Sequence, residues 1–152
     1  MAALFDTTVG VLLLRRKLRA DALRAIEAAK AEIRDGGAVL PAAAAAELLV
    51  GERDAASFSE LSERLAGIPT AVLPAEAAGY AGSMGAFLAG EGAAVPFPNL
   101  LIAATAVWLE IPLLAWDGDY PRARNAALAS DSPHPGAELW RRMLLHPASL
   151  GA

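Results

Sequence analysis

The stretch that decides the fold is VPFPNLLIAATAVWLEIPLLAWDGDYPR, residues 95–122. Its first half starts with prolines, which suit the first turn of a helix, and continues with apolar residues at helical spacing. Pro112 then breaks the helix, and the apolar run at 113–116 has the length of a buried strand. Asp117 and Asp119 follow directly. A helix, a buried strand and an acidic turn in this order predict an α/β unit with polar residues at the carboxyl end of the strand, where open α/β sheets place their sites.

The same alternation of strands and helices runs through the residues upstream. Short apolar runs predict strands at 2–5, 38–40 and 70–73. Strands that alternate with helices predict a parallel sheet with helices on both faces, and therefore an α/β fold. The predicted helices cover 11–14, 20–34, 42–50, 54–66 and 74–88.

The C-terminal region has a different pattern. Residues 125–136 contain Ser, Pro and Gly without periodicity, which indicates a loop, and 137–145 could form one short amphipathic helix. That helix could dock on the domain, contact a partner or be mobile. A chain of 152 residues favours one domain. We therefore expect a domain over 1–124, followed at 125–152 by a loop and a short helix that do not form a separate domain.

Composition excludes several classes of protein. With 55% hydrophobic and 20% charged residues the chain is globular, and with no cysteine it has no disulfide, thiolate zinc site or thiol chemistry. No apolar run reaches the roughly 18 residues of a membrane span. The first apolar residues follow no positive side chain, which argues against a signal peptide, so we expect a cytoplasmic protein. A net charge of -4 requires that any nucleic-acid binding use a local basic patch.

Acidic side chains are the candidates for chemistry. Asp6, Asp117 and Asp119 each follow a short apolar strand, and parallel strands bring such ends to one edge of the sheet. Glu47 is the only charge in an apolar helix, where a buried carboxylate is costly unless it is paired or bound to a metal. Gathered carboxylates repel one another, which raises the pKa values of some of them unless a cation neutralises the charges. Oxygen ligands of this kind predict Mg²⁺ or Mn²⁺, which can activate a water molecule and polarise a phosphodiester.

Each acid also has a simpler interpretation. Asp6 could cap the helix that follows it, and the residues from Asp117 to Asp119 could form a plain turn. Glu47 could pair with an arginine. Taken singly, the acids favour these structural interpretations. Only the whole set, in this order along an α/β pattern, indicates a metal site.

Four segments together resemble the PIN-domain nucleases: DTTV at Asp6, AELLVG at Glu47, PFPNLLIAATA around Asn99 and LLAWDGDYPR at Asp117. The likeness is greatest to the VapC-type toxins of bacterial toxin–antitoxin pairs and covers about the first four-fifths of the chain. It implies a three-layer α/β/α sandwich around a central parallel sheet, with an acidic pocket for Mg²⁺ or Mn²⁺. It also implies endoribonuclease cleavage of RNA, a small antitoxin that wraps the toxin and reaches into the pocket, and a homodimer.

The resemblance assigns roles to particular residues. Thr7 matches the hydroxyl residue that often follows the first acid. The metal ligands would be Asp6, Asp117 and Asn99. The catalytic set would be Asp6, Glu47, Asn99, Asp117 and Asp119, of which Asp119 is an additional acid.

Two positions depart from the pattern of the family. Asn99 stands where the family usually has an aspartate, and Ala115 where it often has a threonine. Asparagine can offer a carbonyl oxygen, but it is neutral and cannot act as a carboxylate base. Asn99 is therefore an engineered inactivating change, a natural weakening of an active enzyme, or the mark of a degenerate domain. The third case gives the alternative function, a catalytically degenerate PIN-fold binding protein that acts through a protein partner.

Basic residues provide candidate contacts for RNA phosphates. Arg122 and Arg124 lie close in sequence to the acidic turn and are the better candidates for steering phosphate. The run Arg15, Arg16, Lys17, Arg19 and Arg24 could contact RNA, contact the antitoxin or form the solvated face of a helix. We expect RNA contacts from Arg122, Arg124, Arg15 and Thr7.

Overall fold

The computed structural model describes residues 2–14 and 20–152. Within these residues four short strands form one parallel sheet in the order β3-β2-β1-β4. In the register of the sheet, Leu4 lies opposite both Val39 and Leu113. The strands are β1 (Ala3–Phe5), β2 (Ala38–Pro41), β3 (Thr70–Ala71) and β4 (Leu113–Leu114).

Helices flank this sheet, and the predicted α/β fold, an α/β/α sandwich of the PIN type, is confirmed. A 3₁₀ turn at Ala20–Ala22 precedes α2. None of the helices in the described ranges is long and apolar enough to cross a bilayer. The helices are α1 (Thr7–Leu14), α2 (Leu23–Arg34), α3 (Ala42–Val50), α4 (Ala55–Ala66), α5 (Ala75–Gly90), α6 (Phe97–Leu109), α7 (Asp119–Ala129) and α8 (Pro135–Arg142).

The central strands are buried on both faces. All three residues of β1 and both residues of β4 are buried, because helices cover the two sides of the sheet. The middle of helix α6 is also buried, with the run from Ile102 to Val107 in the core. Together β1, β4 and α6 form the rigid frame that carries the residues at the carboxyl edge of the sheet.

The expected loop at 125–136 is wrong in its first part. Helix α7 continues to Ala129, because the small side chains of Ala123 and Ala127 face the core at helical spacing. The short amphipathic helix is confirmed, although α8 begins at Pro135 and ends at Arg142. Alanine-rich sequence with few large apolar residues gave too weak a periodic signal to show that α7 continues.

The residues after α8 extend the edge of the sheet. Leu113 N–H donates to the Leu144 carbonyl at 2.8 Å, and His146 N–H donates to the Leu113 carbonyl at 2.8 Å. Leu150 N–H donates to the Ala115 carbonyl at 2.9 Å. We call residues 135–150 the C-terminal segment. Of the three possibilities for its helix, the structure has the one in which the helix docks on the domain.

Candidate active site

The carboxyl ends of β1 and β4 meet at one edge of the sheet. Phe5, the last residue of β1, lies opposite Leu114, the last residue of β4, and Asp6 N–H donates to the Leu114 carbonyl at 3.1 Å. Asp6 and Asp117 therefore come to the same edge, as the sequence predicts. The acidic pocket, as we call it, consists of Asp6, Glu47, Asn99, Asp117 and Asp119.

Asp6 is the most deeply buried acid of this pocket, with 1% of its surface exposed. Its Oδ1 atom accepts hydrogen bonds from Thr8 Oγ1 at 2.6 Å and from the Val9 N–H at 3.1 Å. The second of these bonds caps the start of α1. The interpretation of Asp6 as a helix cap is thus correct. Asp6 caps α1 and is also one of the residues of the acidic pocket.

The pKa of Asp6 is raised to about 6, mainly by burial and to a smaller extent by the nearby charge of Asp117. The hydrogen bonds from Thr8 and Val9 act in the opposite direction, but burial has the larger effect. The pocket therefore contains a carboxylate whose negative charge is poorly solvated. A cation in the pocket would stabilise the ionised form.

Thr8 connects the two strand ends that carry the acids. Its hydroxyl accepts a hydrogen bond from the Trp116 N–H at 2.9 Å and donates to Asp6. This connection fixes Asp6 relative to the backbone just ahead of Asp117. Our sequence analysis missed Thr8, although a hydroxyl residue two positions after a candidate acid was a usable signal.

Asn99 bridges the other two aspartates. This residue is buried at the start of α6, and its Nδ2 donates to Asp117 Oδ2 at 3.2 Å and to Asp119 Oδ2 at 3.3 Å. The Asp119 N–H also donates to Asp117 Oδ1 at 2.9 Å. The amide hydrogens of Asn99 thus lie between two carboxylates, where they partly neutralise the charge that a cation would otherwise balance.

Glu47 is exposed, so the expected burial of its carboxylate is wrong. Helix α3 turns Ala44 and Leu48 toward the core, and Glu47 lies beside that face. Its Oε1 accepts a hydrogen bond from Thr7 Oγ1 at 2.6 Å, so within residues 2–14 and 20–152 its partner is a hydroxyl. The hydroxyl of Thr7 is therefore engaged with an acid of the pocket.

Tyr120 lies beneath the acids, and our sequence analysis did not single it out. Only 1% of its surface is exposed, and its hydroxyl oxygen is buried without a hydrogen-bond partner among the described residues. Burial raises the pKa of Tyr120 far above its ordinary value. The charges that raise it further are those of Asp6, Asp117, Glu47 and Asp119. All four carboxylates therefore act on this one hydroxyl.

The candidate RNA-binding cations have different surroundings. Arg122 donates to Asp119 Oδ1 at 2.8 Å and to the Ala93 carbonyl at 3.2 Å, which fastens α7 to the loop ahead of α6. Arg124 is half-buried and lines an open cavity of about 430 Å³ together with Arg24. Arg15 lies outside the described residues.

The pocket offers the ligand chemistry of a hard cation without a ready-made site. In residues 2–14 and 20–152, no three side chains of Asp, Glu or His are arranged so that they could hold a metal ion. The available ligands are nevertheless all oxygen atoms, which Mg²⁺ and Mn²⁺ prefer. To hold such an ion, the carboxylates would have to turn toward it.

No protein-family model and no curated protein matches the sequence. Three solved structures are similar in fold. VapBC2 from Rickettsia felis, bound to a DNA fragment from their promoter, has a TM-score of 0.68 at 15% identity over 96% of this chain and 98% of that one. FitAcB from Neisseria gonorrhoeae has a TM-score of 0.60 at 18% identity, over 95% of this chain and 97% of that one. FitAB bound to an IR36 DNA fragment has a TM-score of 0.64 at 20% identity, over 80% of this chain and 90% of that one. The chain therefore has the PIN-like fold that the resemblance implied, shared with chains of the VapBC2 and FitAB structures.

Proposed function

We propose that this chain is a metal-dependent endoribonuclease toxin of a toxin–antitoxin pair. The observation that carries the proposal is the acidic pocket at the carboxyl edge of the sheet, where a buried Asp6 has a raised pKa. Buried charge without an opposite charge destabilises a fold. Carboxylates gathered at such a cost are typical of sites that bind a cation or perform chemistry.

Asp6, Asp117 and Asn99 would hold Mg²⁺ or Mn²⁺ in this pocket. Such an ion lowers the pKa of a bound water molecule and polarises a phosphodiester. For this role Asn99 would turn its amide so that the carbonyl oxygen faces the pocket. Asp119 and the exposed Glu47 would complete the catalytic set, and Glu47 is the acid most accessible to a substrate.

RNA would approach through local positive charge, since the whole chain carries a net charge of -4. Arg24 and Arg124, which line the same open cavity, can attract the phosphate backbone. Arg122 would act mainly by holding Asp119, because its guanidinium already forms an ion pair of 2.8 Å with that side chain. Arg15 stays a predicted RNA contact.

The antitoxin would occupy an apolar groove of about 440 Å³. The groove is lined by leucines of α1, α3 and α4, among them Leu13, Leu48 and Leu61, and has Lys30 and Arg64 among its lining residues. These features fit a partner segment with apolar side chains flanked by acids. The likeness to the VapBC2 and FitAB complexes supports such a partner. A homodimer stays a prediction, which light scattering of the purified chain would test.

The alternative function is a PIN-fold binding protein without catalysis. It is favoured by Asn99, whose amide already neutralises part of the charge of Asp117 and Asp119. The lack of a ready-made three-ligand site among the described residues favours it as well.

Cleavage of an RNA panel in Mg²⁺ and in Mn²⁺ by this chain and by Asn99→Asp distinguishes the two functions. The blank is Asn99→Asp combined with Asp6→Ala, with its fold checked by circular dichroism. Cleavage by both proteins supports an active toxin. Cleavage by Asn99→Asp alone means that the pocket is a nuclease site inactivated by Asn99. If neither protein cleaves any RNA, the endoribonuclease proposal is wrong and the binding protein replaces it.

A further inference from the structure

An open cavity of about 430 Å³ brings together two arginines from different helices. Arg24 lies in the first turn of α2, and Arg124 lies in the middle of α7. The other residues that line the cavity are Leu144, Leu145, Pro147 and Ala152. None of these lining residues has an acidic side chain, so no side-chain carboxylate in the lining neutralises the two positive charges.

The two guanidinium groups have no partners of their own. Within residues 2–14 and 20–152, neither the Arg24 nor the Arg124 side chain forms an ion pair or a hydrogen bond. Arg122 and Arg141, by contrast, each donate to a carboxylate and to a backbone carbonyl. The Nε atom of Arg124 is also buried, so water solvates its guanidinium only in part. A charge that is partly shielded from water gains more from an opposite charge than a fully solvated one does.

A phosphate group matches the donors of this cavity. The planar fork of a guanidinium binds phosphate oxygens through pairs of parallel hydrogen bonds, and two arginines can hold different oxygens of the same phosphate. Leu144, Leu145 and Pro147 add apolar surface to the lining. Because apolar surroundings lower the local dielectric constant, they strengthen hydrogen bonds between charged groups.

We propose that this cavity, which we call the arginine cavity, binds one phosphate group between Arg24 and Arg124. That the phosphate belongs to RNA rests on the proposed function. No residue of the acidic pocket lines the arginine cavity, and Arg124 lies five residues after Asp119, about 7.5 Å further along α7. The phosphate held there is therefore not the one that the acidic pocket would cleave. It would anchor the RNA strand beside the acidic pocket.

The first experiment tests the site with inorganic phosphate alone. Phosphate is titrated into the ¹⁵N-labelled full chain, and the Nε–H signals of the arginine side chains are followed by NMR. The signals that Arg24→Gln and Arg124→Gln remove identify these two arginines. We expect both signals to shift and to saturate with phosphate but not with sodium chloride at equal ionic strength. The signal of Arg34, whose side chain is exposed beside Asp35, should not follow this curve.

The second experiment tests RNA as the source of the phosphate. Fluorescence anisotropy measures the binding of a labelled oligouridylate at several salt concentrations, with EDTA present so that the RNA is not cleaved. Arg34→Gln is the matched control, because it changes the net charge equally and lies on the same helix as Arg24. Circular dichroism checks the fold of each variant.

We expect Arg24→Gln and Arg124→Gln each to weaken RNA binding about tenfold, and Arg34→Gln to leave it nearly unchanged. The double variant should weaken binding by less than the product of the two single effects, because both arginines hold the same phosphate. The slope of log affinity against log salt should fall by about 0.7 in the double variant, the value for one phosphate contact of a single strand.

The outcomes separate the site from the source of its ligand. A saturable phosphate shift with unchanged RNA binding would support the site and make free phosphate its ligand. If phosphate causes no saturable shift and the three Gln variants bind RNA equally well, the inference is wrong. Single effects that multiply in the double variant would also overturn it, because they indicate diffuse attraction. Neither experiment measures cleavage, so the inference can fail while the endoribonuclease proposal holds, and the reverse.

Discussion

The acidic pocket and the C-terminal segment both adjoin β4, but they differ in how well their buried polar groups are hydrogen-bonded. In the C-terminal segment, Trp140 Nε1 donates to the Met84 carbonyl at 3.1 Å. Ser149 Oγ accepts from the Ala115 N–H and donates to the Leu113 carbonyl, at 3.1 and 2.9 Å. In the pocket, burial raises the pKa of Asp6, and the Tyr120 hydroxyl has no partner among the described residues.

This difference separates the stabilising part of the molecule from the functional part. Buried polar groups that are fully hydrogen-bonded make a unique packed structure, whereas unsatisfied or poorly solvated groups lower stability. A fold keeps such groups mainly where binding or chemistry requires them. Substitutions in the C-terminal segment should therefore cost stability, and a neutralising substitution in the pocket should increase it.

The largest effect is expected for Trp140→Ala. Trp140 is fully buried and its Nε1 donates to the Met84 carbonyl of α5, so its removal leaves a large cavity and takes away that hydrogen bond. We expect a loss of about 3–5 kcal/mol in the free energy of unfolding. Urea denaturation followed by circular dichroism measures it. A loss below about 1 kcal/mol would show that the segment contributes little to stability.

The next effect has the opposite sign and concerns Asp6→Asn. Folded Asp6, with a pKa of about 6, binds its proton more tightly than the unfolded chain, whose aspartate has the ordinary value of 3.8. The free energy of unfolding therefore falls as pH rises from about 3.8 to about 6 and changes no further above that range. Asparagine keeps an oxygen for Thr8 and Val9 but carries no charge.

We expect Asp6→Asn to be more stable than the unchanged chain at pH 7 by up to about 3 kcal/mol without a cation, and the two to converge near pH 4. Denaturation at a series of pH values is the measurement. Asp6→Asn should also abolish any Mn²⁺ binding, so the variant would be more stable but would lose the proposed function. If Asp6→Asn were less stable than the unchanged chain at pH 7, the charge of Asp6 would not destabilise the fold, contrary to this prediction.

The sequence predicted the strands and helices that form the frame better than it predicted the contacts between side chains at the site. Short apolar runs predicted β1, β2 and β4, because strands buried on both faces leave a clear apolar signal, and apolar residues at helical spacing predicted α6. The meeting of Asp6 and Asp117 followed from parallel strands alone. The burial of Tyr120 did not, because it depends on the packing of α7, whose alanine-rich sequence has no strong period.

Two other errors have related causes. Glu47 was expected to be buried because its helix is apolar, but only the Ala44 and Leu48 side of α3 faces the core. The attachment of residues 144–150 to β4 depends on backbone hydrogen bonds and on Ser149, and neither gives a periodic pattern. Contacts between residues distant in sequence are therefore what our sequence analysis lacked.

A smaller loss is expected for Ser149→Ala. The hydroxyl is the partner of two backbone groups next to β4, the Ala115 N–H and the Leu113 carbonyl. Its removal leaves the buried N–H without a partner, whereas Leu113 O keeps the bond from His146 N–H. We expect destabilisation by about 1–3 kcal/mol, measured by urea denaturation. Ser59→Ala on the exposed side of α4 is the control and should change stability by less than about 0.5 kcal/mol.

The smallest changes in stability are expected for substitutions of two arginines near the surface. One arginine belongs to the C-terminal segment and the other lies beside the acidic pocket. Arg141 of the C-terminal segment is 25% exposed and donates to the carbonyls of Ala127, Ser130 and Ser132. Arg122, beside the acidic pocket, is 47% exposed and donates to Asp119 and to the Ala93 carbonyl.

Lysine keeps the charge in each case but cannot reproduce the planar fork of donors. Arg141→Lys should therefore cost about 1 kcal/mol, because it leaves partly buried carbonyls without their donors. Arg122→Lys should cost less than about 0.5 kcal/mol, since water screens an exposed ion pair. Melting curves of both variants test the order. If Arg122→Lys were the more destabilising of the two, Arg122 would contribute to the stability of the fold. The contrast between a C-terminal segment that stabilises the fold and an acidic pocket that destabilises it would then not hold at the surface.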